Sequence, residues 1–332
     1  MSQGEFDIIK RYFQRANHAN DGVAVGIGDD CAILDIPEGY QLAVTTDSLV
    51  SGVHFFEDVD AYRLGYKSLA VNLSDLAAMG ATAKWVSLAI TLPEINEKWL
   101  AEFCKGFFAL ADKYNIQLIG GDTTKGPLSL TISAKGLVKT GKALKRNNAQ
   151  EGDILCCSGV LGNGAAGLAV KNADLQLNQQ QYFLDALELT EPQLSLAALL
   201  PDFASSCIDI SDGLTQDLSH ILTQSQCHAE IALEDLPLSD IMLDEIKSGN
   251  MTMPQAWEFA LTGGDDYELL FTISEEKLAL LKLQMNKTDL IVFEIGKITS
   301  SDIILENIQK NIQLTHKQQP IELTLSGWDH FK

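Results

Sequence analysis

LAVTTDSLVSGVH, Leu42 to His54, is the stretch on which the reading of the fold turns. An apolar, β-branched run leads into Thr45, Thr46 and Asp47, and Gly52 and His54 follow. The pattern predicts a strand that brings two hydroxyls and a carboxylate to its C-terminal end, where α/β folds commonly meet hard cations and phosphates. Alone, such a turn would do no more than cap the next element. The same design recurs, however, in GIGDD at Gly26–Asp30, NLSDLAAMG at Asn72–Gly80, GGDTT at Gly120–Thr124, DISDG at Asp209–Gly213 and GGDDYE at Gly263–Glu268. Each of these aspartates, taken singly, reads as a cap on a turn or helix. Jointly they read as a site.

The 332 residues suffice for two domains of ordinary size. The sequence turns polar and irregular around Asn147–Gly152, so the expected domains are 1–148 and 149–332. Both mix strands with helices, which predicts an α/β class with mixed sheets. In the first half, helical periodicity covers Glu5–Arg15 (Phe6, Ile9 and Phe13 on one face), Ala61–Met79 and Glu97–Tyr114. Strands are predicted around Ala32–Leu34, Gln41–Thr45, Lys84–Thr91, Ile116–Ile119 and Leu128–Val138. In the second half, the strands Ile154–Cys157, Cys207–Ile210, Glu230–Leu233 and Glu268–Ile273 accompany helices at Ala165–Lys171 and Leu214–Leu222, and Thr190-Glu191-Pro192 reads as a helix start.

A net charge of −21 argues against a nucleic-acid backbone as partner. An acidic chain holds a phosphorylated ligand only with a divalent cation between them, and magnesium takes oxygen ligands of the kind these turns offer. No apolar run is long enough for a membrane helix, and the N-terminus lacks the basic-then-apolar pattern of a signal peptide. The six cysteines show no Cys-x-x-Cys spacing and read as core residues of a cytoplasmic protein. The histidines form no metal-spaced cluster. Two nucleotide motifs are set aside: Gly136–Ala143 lacks the hydroxyl of a P-loop, and Gly162-x-Gly164-x-x-Gly167 reads as tight strand–helix packing rather than a dinucleotide loop. Arg146 ends a basic patch with Lys142 and Lys145, as a phosphate clamp or a solvated turn. His54 is a partly buried imidazole or a substrate contact. Asp75 faces solvent on a lone helix, or a cation if the helix packs beside the acidic segments.

Taken together, GIGDDCA, TTDSLVSGVHF, YKSLAVNLSDLAAMGA, QLIGGDTTKGPLSLTI, KTGKALKRNNAQEGD, IDISDGL, GGDDYEL and GWDHF span nearly the whole chain. The sequence closely resembles the thiamine-monophosphate kinase family, in the superfamily of aminoimidazole ribonucleotide synthetase and selenophosphate synthetase. The resemblance implies a two-domain fold in which the N-terminal sheets of two subunits pair into a barrel, hence a homodimer. It implies ATP-dependent conversion of thiamine monophosphate to thiamine diphosphate. Carried over residue by residue, it implies that Asp30, Thr45, Thr46, Asp47, Asp75, Asp122, Asp209 and Asp212 organise several Mg2+ ions, with Asp47, Asp122 and Asp212 catalytic. Gly121, Asp122, Arg146 and Ser211 would meet ATP, and His54, Asp265 and Trp328 the thiamine phosphate. The chain departs from the family pattern at Asp265, commonly Glu, and at Trp328, often Tyr. A sister ATP-dependent synthetase and a non-catalytic ATP–Mg-binding regulator are the competing readings.

Overall fold

The structure, a computed structural model, describes residues 5–15, 22–286, 288–300 and 311–321, with backbone alone at residues 5 and 6. Phe6 and the aromatic tail with Trp328 therefore lie outside the described side chains. Among the described residues no helix is long and apolar enough to cross a membrane. The chain forms two compact units, residues 1–76 with 81–141, and residues 77–80 with 142–332.

In the first unit α1 (Glu5–Ile8) runs into a π-type turn over Ile9–Phe13. The wider turn sets Ile8 and Phe13, five apart, as its buried pair, where the periodicity had pointed to Ile9. Strands β1 (Val23–Val25) and β2 (Ile33–Leu34) form a small antiparallel pair. The main sheet contains β3 (Tyr40–Val50), β4 (Thr82–Leu92), β5 (Gln117–Lys125) and β6 (Ser129–Lys139), in the order β3-β6-β4-β5. Only β4 and β5 run parallel.

Two helices, α2 (Ala61–Ala78) and α3 (Glu97–Lys113), supply the unit's helical packing. Asn96 caps α3 by accepting from the N–H groups of Lys98 and Trp99, both at 3.1 Å. The helices cross at Gly65 and Gly106, where a Cβ on Gly106 would overlap the Tyr62 carbonyl and one on Gly65 the Phe103 carbonyl. The stripe Leu100, Phe103, Phe107 and Leu110 is buried, as the 3.6-residue period requires. The odd residues of β3 lie on the more buried face of the sheet. Its even residues Leu42, Val44 and Val50 are exposed, Val44 by 58%.

Two expectations fail here, for one reason. Thr45–Asp47 was predicted at a strand end and Gly120–Thr124 in a turn, yet both lie within strands. β6 pairs with β3 over its whole length, from Tyr40–Lys139 to Val50–Ser129, and β4 carries β5 onward through Thr123 and Thr124 to Lys125. Long-range pairing extends the strands past the residues that locally signal a stop. Gly141 turns the chain (φ +78°) without starting a hairpin, since no strand returns along β6 from it.

The second unit is built on a seven-stranded sheet of β7 (Ile154–Cys157), β8 (Ser206–Asp209), β9 (His228–Ala232), β10 (Leu269–Ile273), β11 (Phe293–Thr299), β12 (Ile312–His316) and β13 (Gln319–Ile321). Its order is β13-β12-β9-β11-β7-β10-β8, and among the described strands only β9 and β12 pair in parallel. The helices are α4 (Asn163–Lys171), α5 (Gln180–Glu188), α6 (Leu194–Ala197), α7 (Leu214–Ser225), α8 (Asp240–Lys247), α9 (Met253–Thr262) and α10 (Glu275–Met285).

Alternation sorts β7 between two cores. Leu155 and Cys157 join Leu214, Leu218 and Ile221 of α7, while Ile154 and Cys156 join Leu278 and Leu281 of α10. The helix signalled at Thr190 starts only at Leu194. Cys104, Cys156, Cys157, Cys207 and Cys227 are buried free thiols, and burial pushes Cys104 up to about 12 and Cys227 to about 11, so neither is a thiolate near neutrality.

Candidate active site

In the first unit the site forms where β3 meets α2. Because Thr45 and Asp47 are two apart on one strand they share a face, and Asn72 and Asp75 are three apart on one helix. The Thr45 hydroxyl donates to Asp75 Oδ2, and the Asp47 N–H donates to Asn72 Oδ1 at 3.2 Å. Asp75 thus points at the sheet, as the cation reading of this helix required. Thr46, the residue between, lies on the opposite face, where its hydroxyl donates to the Thr45 carbonyl at 2.8 Å. His54 follows the end of β3, and its Nδ1 accepts the Val50 N–H at 3.1 Å. In the neutral ring that contact fixes the proton on Nε2.

Asp122 stands elsewhere in the sheet. Pairing aligns Asp47 with Ile132, Leu88 and Gly121, and aligns Ser48 with Thr131, Ala89 and Asp122. Asp47 and Asp122 therefore sit on opposite edge strands, about 14 Å apart at three strand spacings. Their rows also face opposite sides. Gly121 has φ +154°, and a Cβ there would overlap the Leu88 carbonyl. Asp30 is exposed, and its N–H donates to Asp29 Oδ1 at 2.9 Å. Among the described residues no three His, Cys, Asp or Glu side chains form a metal-holding group.

In the second unit the candidate residues gather at one end of its sheet. Because β10 is antiparallel to both β7 and β8, the loops leaving β7 and β8 meet the segment entering β10. Backbone bonds lace them together: Asp265 N–H to Ser211 O at 3.0 Å, Tyr267 N–H to Ile210 O at 2.8 Å, and Ile210 N–H to Glu268 O at 2.8 Å. Asp265 and Tyr267 both have positive φ, +66° and +52°. Aspartate tolerates that region better than most residues do.

Three acids to which the sequence reading gave no role hold these loops: Asp217, which is buried, and Asp266 and Glu268, which are half-buried. Asp217 Oδ2 accepts the N–H groups of Ser211 and Asp212 at 3.0 Å and of Gly213 at 3.2 Å. Burial, then the charge of Asp209, push its carboxyl up to about 8, against the pull of those donors. Asp266 accepts from Gly162 N–H at 2.8 Å and Gly164 N–H at 3.4 Å, and burial raises its carboxyl well above the usual range. The glycine loop before α4 thus holds a carboxylate of its own chain, in agreement with its reading as a packing turn. Glu268 accepts the Ser158 hydroxyl, and burial pushes it up to about 7. The available signal was a run of acids directly before the wholly buried strand LLFTI, and an acid in the first turns of a helix after a glycine loop.

Asp212 Oδ2 accepts from Gln216 Nε2 at 3.4 Å. His220, also unpredicted, is held below its usual value first by burial and then by Arg146, with Asp212 opposing. Arg146 and Asp212 thereby act on one imidazole. The structure so brings together Thr45 with Asp75 and Ser211 with Asp265.

The model of the AIR synthase related protein N-terminal domain matches residues 28–138, and that of the C-terminal domain matches residues 150–305. The thiamine-monophosphate kinase of Salmonella typhimurium is 43% identical over 100% of this chain and 99% of its own. That of Bacillus subtilis is 33% identical over 99% of each chain. The crystal structure of thiamine-monophosphate kinase from Stenotrophomonas maltophilia K279a is similar with a TM-score of 0.80 and 39% identity, over 91% of this chain and 93% of that one. A structure of AaThiL complexed with AMPPCP and TMP is similar with a TM-score of 0.75 and 27% identity, over 92% of each.

Proposed function

The chain belongs to the thiamine-monophosphate kinase family, within the AIR synthase related proteins, and from that membership we propose how its residues carry out the reaction. The activity is ATP-dependent phosphorylation of thiamine monophosphate to thiamine diphosphate. The observation that carries this is likeness over the full length of relatives so named, joined to acidic segments in both units.

The proposed step is direct in-line transfer. A phosphate oxygen of thiamine monophosphate attacks the γ-phosphorus of ATP, the bond to the β,γ-bridging oxygen breaks, and ADP leaves with that electron pair. The acceptor oxygen is already ionised near neutral pH, so no strong general base is required. What the reaction needs is two polyanions held against each other.

Magnesium suits the donors present, since Asp30, Thr45, Thr46, Asp47, Asp75, Asp122, Asp209 and Asp212 offer oxygen alone. Thr45, Asp47 and Asp75 beside one face of the first sheet and Asp122 on the other would hold separate ions, each neutralising phosphate charge. Asp47, Asp122 and Asp212 are the proposed catalytic carboxylates. Gly121, Asp122, Arg146 and Ser211 are assigned to ATP, and His54, Asp265 and Trp328 to the thiamine phosphate. For His54, the Nε2 proton favoured by its bond from Val50 is a donor suited to a phosphate oxygen.

We further propose a cytoplasmic homodimer. The open face of β3, with Leu42, Val44 and Val50 exposed, supports a second copy as its cover. The test of function is ADP release with ATP and magnesium, with and without thiamine monophosphate, while thiamine diphosphate is followed by chromatography. One-for-one appearance of both products is expected. ADP without thiamine diphosphate would assign a sister synthetase, and no ADP from folded, ATP-binding protein a regulator.

A further inference from the structure

Asp217 takes no part in the assignments above, and the residue is 3% exposed, too enclosed for its carboxyl to touch a nucleotide. Yet one of its oxygens gathers the N–H groups of three successive residues, Ser211, Asp212 and Gly213. Its own N–H returns to the Gly213 carbonyl at 2.9 Å, so the loop and the first turns of α7 close on each other. The next contact outward comes from the same turn of helix, where Gln216 reaches the Asp212 carboxylate. On the far side Asp265 N–H holds the Ser211 carbonyl. The loop backbone is therefore bonded from both sides, with Ser211 and Asp212 themselves half-buried at its rim.

We propose that Asp217 is a positioning residue: its buried carboxylate sets the backbone of Ser211–Gly213 so that Ser211 and Asp212 present their oxygens to magnesium-bound ATP. The proposal rests on the assignment of this loop to nucleotide and metal. Three N–H groups converging on one acceptor fix three peptide planes at once. Asparagine leaves a single carbonyl as acceptor for the three donors and puts an NH2, which cannot accept, in place of the second carboxyl oxygen. The effect reaches the nucleotide through the loop, and the thiamine phosphate is not expected to feel it directly.

The experiment compares the full-length chain with Asp217→Asn, which keeps side-chain volume. Calorimetry is expected to show MgATP binding weakened at least tenfold. In turnover, the KM for MgATP and the half-saturating magnesium concentration rise, while the KM for thiamine monophosphate stays within twofold. Amide hydrogen exchange at Ser211–Gly213 is expected to speed at least tenfold, with β8 and the body of α7 unchanged. Wild-type MgATP affinity in the folded variant would overturn the proposal, as would an equal loss for both substrates. Should the variant not fold, the wild type decides: these three amides must be protected without nucleotide, and rapid exchange there overturns the proposal. Calorimetry and exchange need no turnover, so a wild type that makes no thiamine diphosphate refutes the assigned reaction and leaves Asp217 to be judged by them.

Discussion

Replacing Glu268 by glutamine tests whether the loop acids carry a cost of burial. Its carboxyl is raised from 4.5 to about 7, first by desolvation, with the Ser158 hydroxyl and Gln193 pulling the other way. A carboxyl raised by folding contributes stability that is fully present below its unfolded value and is lost as pH climbs through its folded value. The window therefore runs from about pH 4.5 to about pH 7. Each unit of difference corresponds to about 1.4 kcal/mol. Integrated between about pH 5 and about pH 8, this one group costs the wild type about 2.5 kcal/mol.

Glutamine keeps an acceptor for Ser158 and carries no charge. Whatever constant difference the substitution introduces, the variant should gain about 2.5 kcal/mol on the wild type between those two pH values. Urea unfolding at both, with hydrogen exchange of the β7 and β10 amides to locate the change in the second unit, measures it. Parallel pH dependence of variant and wild type would refute a desolvated Glu268.

Gly106→Ala places a methyl against the Tyr62 carbonyl at the α2–α3 crossing and should cost about 2–3 kcal/mol, read by thermal unfolding. Thr45→Val keeps the shape of the side chain but takes the donor from Asp75, and should destabilise by about 1–2 kcal/mol in a denaturant titration. Its turnover should fall more than its melting temperature implies, because Asp75 then lacks its partner on β3. Asp47→Asn and Asp122→Asn should each lower kcat roughly a hundredfold or more with unchanged circular dichroism, by analogy with loss of one electrostatic contact at a reacting phosphate. Near-normal rates in both would remove these carboxylates from the mechanism.

Local pattern in the sequence revealed the elements whose burial is periodic. Helix α3 is an example: Asn96, Phe103, Phe107 and Leu110 specify its start and its inner face within one short window. Strand ends were less legible, because Gly120-Gly121 signals a turn locally while the pairing that overrides it comes from Ser87 and Leu88 of β4, far earlier in the chain. The same limit applied to the site. Thr45, Asp47 and Asp75 stood out by residue type, and helix α2 does turn Asp75 toward Thr45. Asp217 passed unnoticed, and Asp266 and Glu268 were quoted within GGDDYE without a role of their own, because an acid enclosed only by distant chain segments looks, in sequence, like an acid on a surface. Strands β11 to β13 and helices α8 to α10 carry none of the acidic turns quoted above and have no counterpart in the sequence reading.

The carboxylate that Asp266 lodges in the glycine loop bears on inhibitor chemistry. Pyrophosphate mimics designed for glycine-rich loops depend on free backbone N–H groups, and here Gly162 and Gly164 are already engaged by a carboxyl group of the protein itself. A compound of that kind would have to evict a buried side chain before gaining its first contact. Screening libraries biased toward dinucleotide sites are therefore a poor starting point for this protein, and molecules that address the rim formed by Ser211, Asp212 and Asp265 a better one.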